Sequence, residues 1–306
     1  MVRLTSLRSK AFICAAILAC SAAAAAVAQA PRRPSGNFGG GALVAPPRAH
    51  FGAGNVVIGL RALPSRKLEI EATIRANCPG AAADAKTAGA DIAANAKIAA
   101  NGAFEASGTE TSEPDRGVLV KTKYKLSGTF TSASAVDGTI SATIDRGASG
   151  KTTRCRTGSV KFGARRPSGQ LGAPGARPSA RYFGTTTQRG VGPRRAIVLR
   201  VAGDGLLITR GLFGESVTCS DGKRSSGIEA PRTNISVNAK GRVSDRERFT
   251  IDNGATETKV NDHFSATLGE DGAKGTFSLS DRTVNKGTGR QVQSCRSGTV
   301  KWTAAP

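Results

Sequence analysis

Histidine, tryptophan, tyrosine and methionine are nearly missing: the 306 residues hold two, one, two and one of them. His50 and His263 are the only imidazoles, which leaves little material for a hydrolytic triad or a histidine metal site. No HExxH, GxSxG or phosphate-loop spacing occurs, and no cysteine pair has zinc-site spacing. Neither a metal nor a cofactor is expected. The few aromatics fall at repeated core positions such as Phe130, Phe162, Phe183 and Trp302. Few are left over as stacking platforms, so sequence-specific nucleic-acid readout is not expected. Acids are also short: 22 against 44 lysines and arginines, a net charge of +22. Beyond the first thirty residues no run is apolar enough to cross a membrane.

Those thirty residues have the order of a secretory signal peptide. Arg3, Arg8 and Lys10 form a basic start, an alanine-rich apolar run follows, and Ala28-Gln29-Ala30 is a small-x-small cleavage signature. An uncleaved anchor is the alternative. A second alternative is a membrane-tethered lipoprotein, because Ile17-Leu18-Ala19-Cys20 resembles a lipobox. The expected location is the cell envelope or exterior.

The rest of the chain is written twice. RRPSGNFG at 32–39 matches RRPSGQLG at 165–172, and CRTGSVKF at 155–162 matches CRSGTVKW at 295–302. Between these, His50-Phe51-Gly52 is aligned with Tyr182-Phe183-Gly184, Val57 with Val198 and Cys78 with Cys219. A near-constant register over most of the chain is the signature of an internal repeat. The expected organisation is a signal peptide at 1–30, a Pro/Gly/Arg-rich leader at 31–49 and a first body at 50–163. A Pro/Gly/Arg-rich linker at 164–180 and a second body at 181–306 follow. The leader and linker lack the apolar mass for a core and read as extended and mobile.

Both bodies read as all-β. In VLVKTKYKLSGTF, Val118, Val120, Thr122, Tyr124, Leu126, Gly128 and Phe130 share one face, and Lys121, Lys123 and Lys125 share the other. IVLRVAGDGLLITRG reads as a hairpin turning at Gly203-Asp204-Gly205. Seven or eight short strands per body suit a β-sandwich or small β-barrel. The alanine-rich segment after Cys78 is expected to be a loop with at most one helical turn, and a strand is placed from about Ile98.

Cys78, Cys155, Cys219 and Cys295 remain in the mature chain. Each copy has one early and one late cysteine, so the duplication selects Cys78–Cys155 and Cys219–Cys295 from the three possible pairings. An exported chain meets oxidising surroundings, where such bridges form. The Tyr182–Thr185 opening, the Cys219–Gly222 turn and the Cys295–Trp302 motif resemble uncharacterised secreted β-domains of high-GC Gram-positive bacteria. That resemblance implies the fold and export, and brings no activity with it.

The charge is uneven. Segment 165–195 holds Arg165, Arg166, Arg177, Arg181, Arg189, Arg194 and Arg195 and no acid. These seven are the candidate anion-binding residues, with anionic envelope polymers or lipid headgroups as partners. The expectation is therefore a non-catalytic exported binding or structural module. The competing expectation is a secreted carbohydrate-active or other hydrolase. Its paired carboxylates would come from Asp115, Asp137, Asp145, Asp252, Asp262 and Asp281.

Overall fold

The computed structural model describes residues 34–44, 54–79, 87–115, 118–148, 151–190, 192–228, 233–252 and 254–306. The signal peptide, Cys20 and the His50-Phe51-Gly52 tripeptide lie outside the described residues. Among those described, all regular structure is β. The chain forms two six-stranded barrels in tandem.

The first barrel and its flanking strands comprise β1 (Gly36–Ala42), β2 (Val56–Ala62), β3 (Lys67–Asn77), β4 (Thr87–Lys97), β5 (Ala103–Asp115), β6 (Val118–Ser132), β7 (Ala135–Ala148), β8 (Lys151–Arg156) and β9 (Val160–Arg165). Hydrogen bonding gives the order β4-β3-β2-β1-β9-β7-β6-β5, with β8 bridging β3 and β7. The ring β3-β2-β1-β9-β7-β8 therefore closes, and closure removes exposed sheet edges. The second barrel has β10 (Arg181–Arg189), β11 (Arg194–Val201), β12 (Leu207–Cys219), β13 (Arg224–Ile228), β14 (Ile235–Ser236), β15 (Arg242–Asp252), β16 (Thr256–Leu268), β17 (Ala273–Asn285), β18 (Gln291–Arg296) and β19 (Val300–Ala305). Its order β13-β12-β11-β10-β19-β17-β16-β15, with β18 bridging β12 and β17, repeats the first.

The closing strand explains the repeated motif. Cys78–Cys155 and Cys219–Cys295 are both formed, and each ties the closing strand to an early strand. After each late cysteine the strand stops for three residues. The hydroxyl of Thr157 takes the backbone N–H of Ala142, and Ser297 takes that of Leu279, each at 2.8 Å. Gly158 and Gly298 then turn the chain with φ of 67°, where a side chain would be strained. Val160, Phe162 and Ala164 next point into one barrel, and Val300, Trp302 and Ala304 into the other.

Strand β6 buries Val120, Thr122, Tyr124, Leu126 and Phe130 and exposes the three lysines, as its alternation predicts. Three expectations are corrected. The leader is not free of structure: Gly36–Ala42 is β1, and Phe38 is fully buried in the core. Ladder registers make Phe38-Gly39-Gly40 the counterpart of Tyr182-Phe183-Gly184, since Gly40 pairs with Ile58 and Ala164, and Gly184 with Ile197 and Ala304. That register also aligns Val57 with Ala196 in place of Val198.

The alanine-rich segment holds an eleven-residue strand, β4, paired along its length with β3. Ala88 and Ile92 face the core while Asp91, Asn95 and Lys97 face out. Tertiary pairing on an alternating pattern overrides alanine's helix propensity. Ile98 therefore follows a strand and does not begin one.

The linker is also corrected. Its first two residues belong to β9, and 169–180 is laid along the second barrel. Asp271 N–H donates to Leu171 O at 3.0 Å and Glu270 N–H to Ala173 O at 3.0 Å. The buried Tyr182 hydroxyl accepts from Arg177 N–H and donates to Gly269 O, both at 2.8 Å.

The barrels pack against each other through β1 and β2 on one side and β10, β11 and β12 on the other. Val57, Phe183, Ala196, Val198, Leu212 and Ile228 form a separate buried cluster there. A Cβ on Gly39 would overlap the carbonyl of Gly184. The glycine run that makes β1 unrecognisable as a strand is what lets the barrels approach.

Candidate functional site

The seven candidate arginines do not form one surface. Arg195 is 8% exposed and is ion-paired to Glu71 of the first barrel at 2.5 Å, with its Nε also donating to Ser216 Oγ at 3.2 Å. Arg194 is half-buried, and its backbone N–H donates to Asn37 Oδ1. Arg165 donates to Val136 O and Asp137 Oδ1 and lies 5.4 Å from the Phe183 ring centroid. Its charge is largely answered inside the protein. Arg166 is exposed but donates to Ser35 O. Arg177, Arg181 and Arg189 are exposed with no ion pair among the described residues. The free cations are thus those of the linker end and β10, and not the pair at the start of β11.

The carboxylate candidates divide differently. Hydrogen bonds from Arg154 and Lys286 hold the Asp145 and Asp252 carboxyls below the usual carboxylate range. Asp137 is spoken for by Arg165, and the side chain of Asp115 is outside those described. Asp262 and Asp281 do come together, and with a residue the sequence reading missed, Glu215. All three occupy inward positions of the second barrel, on β16, β17 and β12. Burial raises the Glu215 carboxyl to about 7, with the Asp281 and Asp262 charges adding to the effect and Arg195 opposing it. Its Oε2 is sealed from solvent without a hydrogen-bond partner, although part of the residue stays accessible. Burial also raises Asp281.

The first barrel shows how unusual this layer is. Ile144 and Asp281 pair with the equivalent cysteines Cys155 and Cys295. Tyr124 and Asp262 pair with the equivalent Ala142 and Leu279. By the same registers Ile74 stands where Glu215 does, and Val56 where Arg195 does. Four residues that are apolar or aromatic in one barrel are charged in its twin. The signal was present in the sequence: the cysteine offset already aligned Glu215 with Ile74. Among the described residues no three His, Cys, Asp or Glu side chains converge as metal ligands. His263 stands half-buried on the outer face of β16, across from Arg246 and Ser278.

No family model matches the chain, and no curated protein matches it. A crystal structure of kievitone hydratase from Nectria haematococca aligns over 90% of this chain and 92% of that one, at 7% identity and a TM-score of 0.20. A likeness at that level carries no argument about activity. The two disulfides are compatible with an extracellular location.

Proposed function

We propose that the chain is an exported, non-catalytic module that binds anionic polymers of the cell envelope or exterior. One observation carries this reading: the outer surface of the second barrel presents exposed cations that make no ion pair among the described residues. Arg177, Arg181 and Arg189 supply part of it. Arg242, Lys274 and Lys301 supply the rest, lining one groove that no acidic residue enters. Linker and groove meet at one end of the barrel, where Gly175 N–H donates to Leu268 O and lies against Gly241, the neighbour of Arg242.

A hydrolase is the weaker reading. The three clustered carboxylates lie in the barrel interior, where Asp262 is 3% exposed. A lipid tether at Cys20 is the weaker alternative to a cleaved signal of thirty residues, and the mass of the exported N-terminus decides between them.

The test is retention of the purified chain on immobilised polyanions. Retention at low salt and steep loss with added salt is the expected result. With three to six cations engaged on duplex DNA, the log–log slope would be about −3 to −5. Absence of retention on every polyanion at low salt would refute the proposal.

A further inference from the structure

The groove lies on the outer face of β15, β16, β17 and β19 and has a volume of about 650 Å³, within the ~300–1,000 Å³ range of ligand sites. Ladder registers turn it into a grid of two rows. One row runs Arg242, Thr267, Lys274, Thr303, and the next runs Ser244, Ser265, Thr276, Lys301. Three cations and five hydroxyls therefore share this face. Arg242, Lys274 and Lys301 are exposed, and none is ion-paired among the described residues. Ser265 and Thr276 hydrogen-bond to each other at 2.9 Å across the middle of the grid. The only tryptophan of the chain, Trp302, borders the groove but turns its ring into the barrel, with its Nε1–H buried and without a partner.

The first barrel is again the control. Its equivalent rows read Ala103, Thr129, Asp137, Gly163 and Glu105, Ser127, Thr139, Lys161. The hydroxyl pair is kept, as Ser127 and Thr139 at 3.1 Å. The charge is not: Ala103, Asp137 and Lys161 stand where the second barrel has Arg242, Lys274 and Lys301, and Glu105 stands where it has Ser244. The scaffold of the face is thus common to both copies, and the cationic grid belongs to one.

We infer that this groove binds a segment of acidic polysaccharide, a polyuronate-type chain, with the cations on its carboxylates and the hydroxyl rows on its sugar hydroxyls. The inference rests on the polyanion reading above and narrows it. Duplex or single-stranded nucleic acid fits less well because the Trp302 ring is 2% exposed and offers no stacking face. A lipid surface fits less well because the exposed lining side chains are polar.

The test compares polygalacturonate, inorganic polyphosphate and a neutral glucan by affinity electrophoresis of the full chain. Two variants are decisive. Lys274→Asp installs the residue of the first barrel, and the double variant Ser265→Ala, Thr276→Val removes the hydroxyl pair while keeping every charge. Both replace solvent-side positions, and unchanged thermal unfolding verifies that each variant is folded. Polygalacturonate should bind and the glucan should not. Lys274→Asp should weaken polygalacturonate by about tenfold or more, since an attraction becomes a repulsion. The hydroxyl variant should weaken polygalacturonate severalfold and leave polyphosphate unchanged. If polyphosphate binds more tightly and the hydroxyl variant alters nothing, the groove reads charge and not sugar, and the inference fails. Should polyanions bind while Lys274→Asp has no effect, the groove is not the site, although the polyanion reading stands. If no polyanion binds the wild-type chain, both fall.

Discussion

Glu215 gives the sharpest quantitative test. In an unfolded chain its carboxyl ionises near its ordinary value of 4.5; in the second barrel burial and two like charges raise it to about 7. Between these values the folded state holds a proton that the unfolded state has released. Stability must therefore fall as pH rises through this window, and the loss is complete above about 7. The difference corresponds to about 3 kcal/mol, an upper bound because part of the residue is accessible. Glu215→Gln keeps the shape and removes the titration. At the acid end of the range, near pH 4.5, the variant and the wild type should differ least. At pH 8 the variant should be more stable by up to that amount, or up to about 10 °C in melting temperature for a chain of this order. Thermal unfolding by circular dichroism from pH 4.5 to 8.5, with disulfides intact, reads the difference directly. Asp281 is raised in the same direction and adds to the slope of both proteins, so the comparison reads Glu215 together with its coupling to Asp281. A difference that stays constant with pH, or that favours the wild type at pH 8, would refute the assignment of a neutral Glu215.

Non-reducing peptide mapping should recover Cys78 with Cys155 and Cys219 with Cys295, and replacing either pair by alanine should cost about 4 kcal/mol by chain entropy. Tyr182→Phe removes two buried hydrogen bonds that hold the linker. It should cost about 1–2 kcal/mol and render 169–180 cleavable under limited proteolysis that leaves the wild type whole. Replacing Arg177, Arg181 and Arg189 by serine should lower the salt slope of DNA binding by about 3 without shifting the melting temperature, because none of the three is ion-paired among the described residues.

What could be read beforehand depended on whether a local pattern carried the whole signal. The bridges were legible because duplication reduces three pairings to one. Strand β6 was legible because lysine and valine alternate without interruption. Strand β1 was not, because its residues answer to a contact between barrels: Gly39 is glycine for the sake of Gly184, and nothing within FGGG says so. Strand β4 was hidden by composition. Alanine at alternate positions is period two written in a residue better known in helices, and only pairing with β3 settles it. Arginine clustering misled most. Arg194 and Arg195 are neighbours of the linker in sequence, yet in space they belong to the contact between barrels.

Arg195 also connects the two halves of the electrostatic argument. Extending the β11–β12 register from Ile197↔Phe213 sets Arg195 opposite Glu215 on adjacent strands. Its guanidinium nevertheless bonds Glu71 of the first barrel, and Glu215 is left with a sealed, unpartnered oxygen. The first barrel thus holds the cation that would otherwise ionise Glu215. Glu71→Gln should break this arrangement in two ways. Removing one member of a buried pair should cost about 3–5 kcal/mol at acid pH, where Glu215 is neutral and cannot compensate. At pH 8 the released guanidinium can turn to Glu215, stabilise its charge and lower its pKa. The cost of Glu71→Gln should accordingly be smaller at pH 8 than at pH 5, and the decline in stability with pH should be shallower than in the wild type. In the double variant Glu71→Gln, Glu215→Gln no such recovery is available, and the cost should no longer depend on pH through this window. An equal pH dependence in wild type and Glu71→Gln would mean that Arg195 does not couple the contact between barrels to the charged interior.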